Sequence, residues 1–159
     1  MKKNTVKGDL LKLAKAGEFD VIIHGCNCFC RMGAGIAAQI ADQLPAAYEA
    51  DKKTKYGDKS KLGNYSMAIV CVFQSAAFTV VNAYTQYRHD GRLKGEMDVD
   101  YDAVRSVMRK INEDFAGGRI GYPAIGSDLA GGDWNIISGI IDQELVDVDH
   151  TFVEYDPKA

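Results

Sequence analysis

The sequence has no apolar run long enough to cross a bilayer. Its apolar stretches are much shorter than the ~20 residues that a transmembrane helix requires. The N-terminal segment is basic, but no apolar segment follows it, so we do not expect a secretory signal peptide. We therefore expect a cytoplasmic protein that has no membrane partner.

The chain also lacks the positive charge that is typical of nucleic-acid-binding proteins. Its formal net charge is −3, whereas a protein that binds a duplex normally has a basic face. Five lysines occur between residues 52 and 61, but Asp51 and Asp58 are interleaved with them. We interpret this cluster as a solvated helix end and loop, and we predict no nucleic-acid partner.

The spacing of the four cysteines does not match a structural zinc site. Cys26, Cys28 and Cys30 alternate, and Cys71 stands alone. Alternate residues of an extended segment point the same way, which leaves a metal site as an alternative. Structural zinc, however, prefers two Cys-x₂₋₄-Cys pairs or added histidines, and disulfides are rare in the cytosol. We predict free, mostly buried thiols and neither a metal nor another cofactor.

The order of the predicted elements indicates the fold class. At 159 residues, 47% hydrophobic and 26% charged, the chain is typical of one globular domain. Strands are predicted at residues 4–7, 19–24, 65–73, 78–83, 119–123 and 151–155. Helices are predicted at residues 10–16, 35–50 with a break at Pro45, 100–115 and 133–145. This alternation predicts a single three-layer α/β/α domain over residues 1–159 with a mixed, largely parallel central sheet, in which residues 65–73 and 78–83 form a hairpin.

Two glycine-bearing loops follow predicted strands. One spans residues 25–35 and opens a helix, and the other spans residues 125–132. Ligands of α/β sheets bind at the carboxyl ends of the strands, where glycine and a helix N-terminus let backbone N–H groups approach a phosphate. Neither loop has the Rossmann or the P-loop pattern. Together they would suit a pyrophosphate; the alternative is that their glycines only permit tight turns.

The motifs around these loops resemble those of the macro domain family. They are Gly8-Asp9, His24-Gly25-Cys26-Asn27-Cys28, Cys30-Arg31-Met32-Gly33-Ala34-Gly35-Ile36-Ala37, Tyr122-Pro123-Ala124-Ile125-Gly126-Ser127 and Trp134. The resemblance covers nearly the whole chain. Within the family, the motifs resemble most the branch that contains the yeast-type ADP-ribose-1″-phosphate phosphatase and the terminal ADP-ribose protein glycohydrolase. It implies an ADP-ribose derivative as the small-molecule partner, with an ADP-ribosylated protein as the alternative. Phage-encoded members are also similar, which would imply the host cytoplasm.

The resemblance implies roles for individual residues. Asp9, followed by Leu10, matches the aspartate that accepts the adenine amino group. Asn27 matches the asparagine that holds the distal ribose, and the alternative is a buried asparagine that satisfies the loop backbone. Tyr155 or Phe152 would pack on adenine, unless these aromatics belong to the core. The other expected ligand contacts are Arg31, Met32, Gly33, Ala34, Gly35, Ile36, Ile125, Gly126, Ser127, Asp128, Leu129, Ala130 and Gly131.

The resemblance also implies a reaction. His24 matches a catalytic histidine of the phosphatase branch, and Asp90, with His89 beside it, is the candidate for its carboxylate partner. We therefore expect hydrolysis of the 1″-phosphate of ADP-ribose-1″-phosphate. A glycohydrolase acting through a lysyl intermediate is disfavoured, because residues 38–43 contain no lysine and Ala130 stands where the aspartate would be. Two functional alternatives remain: a non-catalytic ADP-ribose reader, and a hydrolase that removes ADP-ribose from modified protein by another route, for which Asp128 is a spare carboxylate. At position 24, the alternative is a core histidine that is bonded to backbone.

Overall fold

The computed structural model describes residues 2–71, 74 and 76–159. Within them, a six-stranded sheet has helices on both faces. The strands are β1 (Lys3–Gly8), β2 (Val21–Cys26), β3 (Tyr65–Val70), β4 (Phe78–Tyr84), β5 (Arg119–Tyr122) and β6 (Asp149–Tyr155). The α-helices are α1 (Leu10–Lys15), α2 (Gly35–Gln43), α3 (Pro45–Lys52), α4 (Tyr101–Asp114) and α5 (Trp134–Glu144). Two short 3-10 helices span Lys59–Lys61 and Gly91–Lys94.

The strand order is β1-β6-β5-β2-β4-β3. Every neighbouring pair is parallel except β3 and β4, which pair antiparallel. This confirms the mixed, largely parallel α/β fold and the β3–β4 hairpin. The predicted end of the third strand at Phe73 lies outside the described residues. Because β2 and β5 are neighbours, the two glycine-bearing loops that follow them start side by side.

Short polar signals in the sequence set the helix boundaries. Asp9, Asp100 and Asp133 precede α1, α4 and α5, and each side chain accepts a hydrogen bond from a backbone N–H of the first turn. Pro45 begins α3 and separates it from α2, as predicted. β2 has the predicted length of six residues but lies two residues further along the chain: it begins at Val21 and continues to Cys26, past the expected end at His24.

The sheet separates two apolar clusters, and β2 contributes side chains to both of them. Val21 and Ile23 pack in the cluster that contains the inner faces of α4 and α5. Ile22 and Cys26 pack in the opposite cluster, which contains residues of α1, α2 and α3. Strand side chains alternate between the two faces, so His24 shares the face of Ile22 and Cys26.

Across the described ranges, no helix is both long enough and apolar enough to span a membrane.

Candidate functional site

A cavity of about 610 Å³ opens at the carboxyl ends of the strands. It is lined by the segments that follow β1, β2, β4 and β5 and by the last residues of β6. The strand order puts the β1 and β6 segments at one end of the cavity and the β4 segment at the other. A volume of this size is within the range of about 300–1,000 Å³ that is usual for small-molecule sites.

Most of the predicted ligand-binding residues line this cavity. They are Asp9, Leu10, Asn27, Arg31, Gly33, Ala34, Gly35, Ile36, Ile125, Gly126, Asp128, Leu129, Ala130 and Tyr155. Three other predicted contacts, Met32, Ser127 and Gly131, are not part of the lining. Met32 is buried in the core on the α1–α3 side, and the Ser127 hydroxyl donates to the carbonyl of Ala124 within its own loop (2.8 Å).

The loop after β2 presents open backbone to the cavity. A Cβ atom added at Gly33 or Gly35 would meet no atom within 4 Å. Gly35 has φ +57, a left-handed conformation that glycine adopts without steric cost. It begins α2, whose N-cap residue Ala34 makes no side-chain hydrogen bond to the first turn. The first N–H groups of α2 are therefore available to an anion, and the helix dipole favours negative charge there.

Other glycines of the two loops are required by packing. A Cβ at Gly25 would lie 2.8 Å from Thr85 Oγ1 and 3.1 Å from a methyl group of Ile125. A Cβ at Gly126 would lie 2.6 Å from a methyl group of Val99, and Gly126 has φ +72. These glycines let the two loops and the segment before α4 approach each other closely. The tight-turn interpretation therefore applies to Gly25 and Gly126, and the open-backbone interpretation to Gly33 and Gly35.

The β1–β6 end of the cavity combines a carboxylate with aromatic rings. Asp9 Oδ1 accepts a hydrogen bond from the N–H of Lys12 (3.1 Å), which fixes the carboxylate at the start of α1. Tyr155 pairs with Gly8 in the sheet and is 65% exposed. Phe152 also lines the cavity, but it packs on Trp134, with the ring centroids 4.7 Å apart. Tyr155 is thus the aromatic ring at this end with most of its surface open.

Asn27 braces the loop in which it lies. Its Oδ1 accepts from the N–H of Phe29 (2.8 Å), and its Nδ2 donates to the carbonyl of Arg31 (3.0 Å). The residue is 8% exposed, and it still lines the cavity. Both amide atoms therefore have backbone partners, as the alternative interpretation of Asn27 requires.

The loop after β4 completes the β4 end of the cavity. Both carboxylate oxygens of Asp98 lie within hydrogen-bonding distance of the Gly91 N–H (3.0 and 3.1 Å), and Oδ1 also accepts from Arg88 Nε (3.2 Å). The Asp98 side chain is 1% exposed, so this anchor is shielded from solvent. His89 and Arg92, on either side of Gly91, line the cavity. Arg92 is not among the residues predicted to contact a ligand, although its loop follows a parallel strand at the sheet edge where ligands bind.

The predicted catalytic histidine does not reach the cavity. His24 is fully buried, and its Nε2 lies 2.6 Å from Asn82 Oδ1. Burial lowers the pKa of His24 to about 4, and the hydrogen bond to Asn82 opposes this shift only in part. The expectation failed because β2 continues to Cys26, which leaves His24 inside the strand instead of at its end.

Asp90 lies close to the cavity without lining it. The residue is half-buried and precedes the 3-10 helix Gly91–Lys94, to which its side chain makes no capping bond. Its neighbour His89 is exposed and lines the cavity. The structure therefore brings His89, not the pair of His24 and Asp90, to the lining.

His24 belongs to a chain of buried hydrogen bonds, called here the buried network. It consists of His24, Asn82, Ser66, Tyr84 and Asp51. Asn82 Nδ2 donates to Ser66 Oγ (3.0 Å) and to the carbonyl of Ala47 (2.9 Å). Tyr84 OH donates to Asp51 Oδ1 (2.7 Å), and burial raises the pKa of the Asp51 carboxyl. The network joins β2, β4 and β3 to α3.

The four cysteines, all of which are among the described residues, differ in burial. Cys26 and Cys28 are buried, Cys30 is half-buried and Cys71 is exposed. Burial raises the pKa of Cys28 to about 11 and that of Cys26 in the same direction. Among residues 2–71, 74 and 76–159, no group of three or more potential metal ligands is found.

The fold and the cavity define an α/β domain with a candidate anion site between loops of neighbouring strands. The macro domain family model matches residues 23–141, and the chain belongs to this family. It is 34% identical over 158 residues to a 17.5 kDa protein from the tk–vs intergenic region of Enterobacteria phage T4, with 96% of each chain covered. The narrower branch suggested by the motifs stays a prediction.

Solved structures share the fold. The macrodomain of Mycobacterium tuberculosis DarG matches with a TM-score of 0.72 at 20% identity, over 98% of this chain and 97% of that one. Thermosipho africanus DarTG matches with a TM-score of 0.75 at 16% identity, over 100% of this chain and 43% of that one. A Bacteroides thetaiotaomicron protein matches with a TM-score of 0.73 at 25% identity, over 97% and 98%.

Proposed function

We propose that the protein binds ADP-ribose or a derivative of it in this cavity. The observation that carries the proposal is the uncapped N-terminus of α2, with Gly33 and Gly35 open beside it, in a cavity of about 610 Å³ that has the Asp9 carboxylate at one end. A pyrophosphate on the α2 N-terminus would receive backbone N–H groups and the positive end of the helix dipole.

The two ends of the cavity suit the two ends of this ligand. At the β1–β6 end, the Asp9 carboxylate can accept a hydrogen bond from an adenine amino group, and the open ring of Tyr155 can pack on the base. Asn27 and Ala130 also line the cavity, and the distal ribose would lie beside them. Two fold relatives support the ligand class: Thermosipho africanus DarTG in complex with ADP-ribose and a Trypanosoma brucei macrodomain in complex with ADP (TM-score 0.69).

The reaction that we propose is hydrolysis of the 1″-phosphate of ADP-ribose-1″-phosphate. Water attacks phosphorus, the bond from phosphorus to the ribose 1″-oxygen breaks, and that oxygen leaves with a proton, giving ADP-ribose and inorganic phosphate. Among the predicted pair, His24 is buried away from the cavity, so His89 takes its place as the base that accepts the proton of water. Asp90 precedes the same 3-10 helix and would orient His89 or the water. Backbone N–H groups would stabilise the phosphate charge.

A second candidate is removal of ADP-ribose from modified protein. The Asp128 carboxylate lines the cavity and could activate water for this reaction. The lysyl route remains disfavoured, because Ala130 and the lysine-free segment 38–43 lack the groups that it needs. A protein that binds ADP-ribose without turnover would be a reader.

One set of measurements tests both parts of the proposal. Calorimetry with ADP-ribose measures binding, and phosphate release from ADP-ribose-1″-phosphate and ADP-ribose release from glutamate-modified protein measure turnover. We expect His89→Gln to abolish most of the phosphate release and Asp90→Asn to reduce it, with ADP-ribose affinity retained. Asp102→Asn, an exposed carboxylate variant on α4, is the control.

Each outcome decides one part of the proposal. Binding without release of phosphate overturns the reaction and leaves the reader. Release of ADP-ribose from modified protein, lost in Asp128→Asn, favours the second candidate over the phosphatase. Wild-type protein that does not bind ADP-ribose overturns the proposed ligand.

A further inference from the structure

Two arginines differ from the others in the chain because they have no carboxylate partner within the described residues. Four of the six arginines form ion pairs. These pairs are Arg88 with Glu96 and Asp98, Arg105 and Arg109 with Glu144, and Arg119 with Asp20. The remaining two, Arg31 and Arg92, are exposed, and both line the cavity.

Arg31 and Arg92 approach the cavity from neighbouring loops at its β4 end. Arg31 follows β2, Arg92 follows β4, and these strands are parallel neighbours in the sheet. The N–H of Cys28 donates to the carbonyl of Tyr87 (2.9 Å), which joins the two loops directly. Both arginines therefore belong to the same wall of the cavity.

The backbone of each arginine is anchored while its guanidinium group is not paired with an acid. The carbonyl of Arg31 accepts from Asn27 Nδ2 (3.0 Å). Arg92 follows Gly91, whose N–H is held by the buried carboxylate of Asp98 (3.0 Å). This arrangement fixes where each side chain starts and leaves its donors available to a ligand, which lowers the entropic cost of binding.

The charged groups of the lining are separated along the cavity. The carboxylates of Asp9 and Glu154 lie at the β1–β6 end, and that of Asp128 follows β5 in the middle of the strand order. Arg31 and Arg92 lie at the opposite end. A ligand with its greatest negative charge at the β4 end would match this distribution, because guanidinium groups bind phosphate through two parallel N–H donors.

We propose that Arg31 and Arg92 bind a phosphate group on the distal ribose and make the site selective for this phosphomonoester over ADP-ribose itself. The inference rests on the proposed function, since it requires the adenine to occupy the β1–β6 end. It assigns specificity to two side chains that do not have to take part in the hydrolysis. The pyrophosphate is bound separately by the N-terminus of α2.

The test compares two ligands that differ only in the terminal anion. Calorimetry with ADP-ribose and with its non-hydrolysable 1″-phosphonomethyl analogue measures affinity without turnover. We expect wild-type protein to bind the analogue at least about tenfold more tightly, and Arg31→Gln or Arg92→Gln to weaken the analogue by about tenfold each, as loss of a charge-assisted hydrogen bond predicts. Affinity for ADP-ribose should fall several-fold less than affinity for the analogue in each variant. Arg105→Gln, which removes an arginine paired with Glu144 on α5, is the matched control.

The remaining outcomes overturn the inference. Equal losses for both ligands would assign the arginines to the pyrophosphate, and no loss in either variant would remove them from the site. Wild-type protein that binds ADP-ribose but does not prefer the analogue would overturn the selectivity and leave the proposed ligand intact. Absence of ADP-ribose binding to wild-type protein would instead be a failure of the proposed function.

Discussion

Two histidines of this chain occupy opposite environments although both were placed near the ligand by sequence. His24 lies inside β2, is fully buried and is bonded to Asn82 in the buried network. His89 lies in the loop after β4, is exposed and lines the cavity. The comparison shows that the position of a histidine relative to the end of a strand decides whether its side chain is buried in the core or lines the cavity. A strand that ends two residues later than expected places one histidine in the core.

The same division applies to the other polar residues of the two regions. In the buried network, side chains are paired with each other or with backbone, and they hold strands and α3 together. At the cavity edge, Arg31 and Arg92 have anchored backbones and side chains without a carboxylate partner in the described part of the chain. We therefore expect substitutions in the buried network to change stability and those at the edge to change affinity.

The largest expected effect is the loss of stability in Asn82→Ala. This change removes hydrogen bonds to His24, Ser66 and the carbonyl of Ala47 and leaves buried groups unpaired. We expect the free energy of unfolding to fall by about 3–4 kcal/mol in a denaturant titration. Asn135→Ala, at an exposed position, is the control and should change it by less than about 0.5 kcal/mol. A loss below about 1 kcal/mol at Asn82 would contradict the supporting role of the network.

The second prediction concerns pH. The folded-state pKa of His24 is about 4, below its value of 6.5 in the unfolded chain, so the unfolded state binds the proton more readily. The stability that neutral His24 provides is therefore present above pH 6.5 and decreases as pH falls towards 4, by about 3 kcal/mol in total. In His24→Gln this part of the pH dependence should disappear. Denaturant titrations between pH 4 and 8 measure it, and a His24→Gln curve with the wild-type slope over this range would contradict the assignment.

The smallest effect separates capping from ligand binding at Asp9. Asp9 and Asp133 each accept a hydrogen bond at the start of a helix, α1 and α5 respectively. Replacement of either by Ala should lower the free energy of unfolding by about 1 kcal/mol. Only Asp9→Ala should also weaken ADP-ribose, by about tenfold in calorimetry, because Asp9 lines the cavity. Equal affinities in the two variants would assign Asp9 to capping alone.

Much of the fold could be predicted because its signals are local. The apolar run from Val21 to Ile23 identifies a strand buried on both faces, and Pro45 identifies the break between α2 and α3. The end of β2 could not be predicted, because His24, Gly25 and Cys26 carry no strong preference. Their extended conformation comes from pairing with residues 82–84 of β4, which is a tertiary effect.

The site could be predicted in part for the same reason. The loops around Gly33 and Gly126 are visible in the sequence, and the parallel sheet brings them together. The arrival of Arg92 at the cavity depends on Asp98, a buried carboxylate in another part of the same loop. No local pattern distinguishes this anchored aspartate from a solvated one. Similarly, Arg88 and Arg119 are paired with carboxylates, and these ion pairs, which occupy their guanidinium groups, form only in the folded chain.

The parallel pairing of β1 with β6 has a consequence for the order of folding. β1 joins the sheet through β6, and the N–H of Lys2 bonds to Asp149 across 147 positions of the chain. Contacts between such distant segments carry a large entropic cost of loop closure and form slowly. The wall that contains Asp9 and Tyr155 is made by these two strands, so we expect the capacity to bind a ligand to appear with this closing step, after the strands around β2 have already assembled.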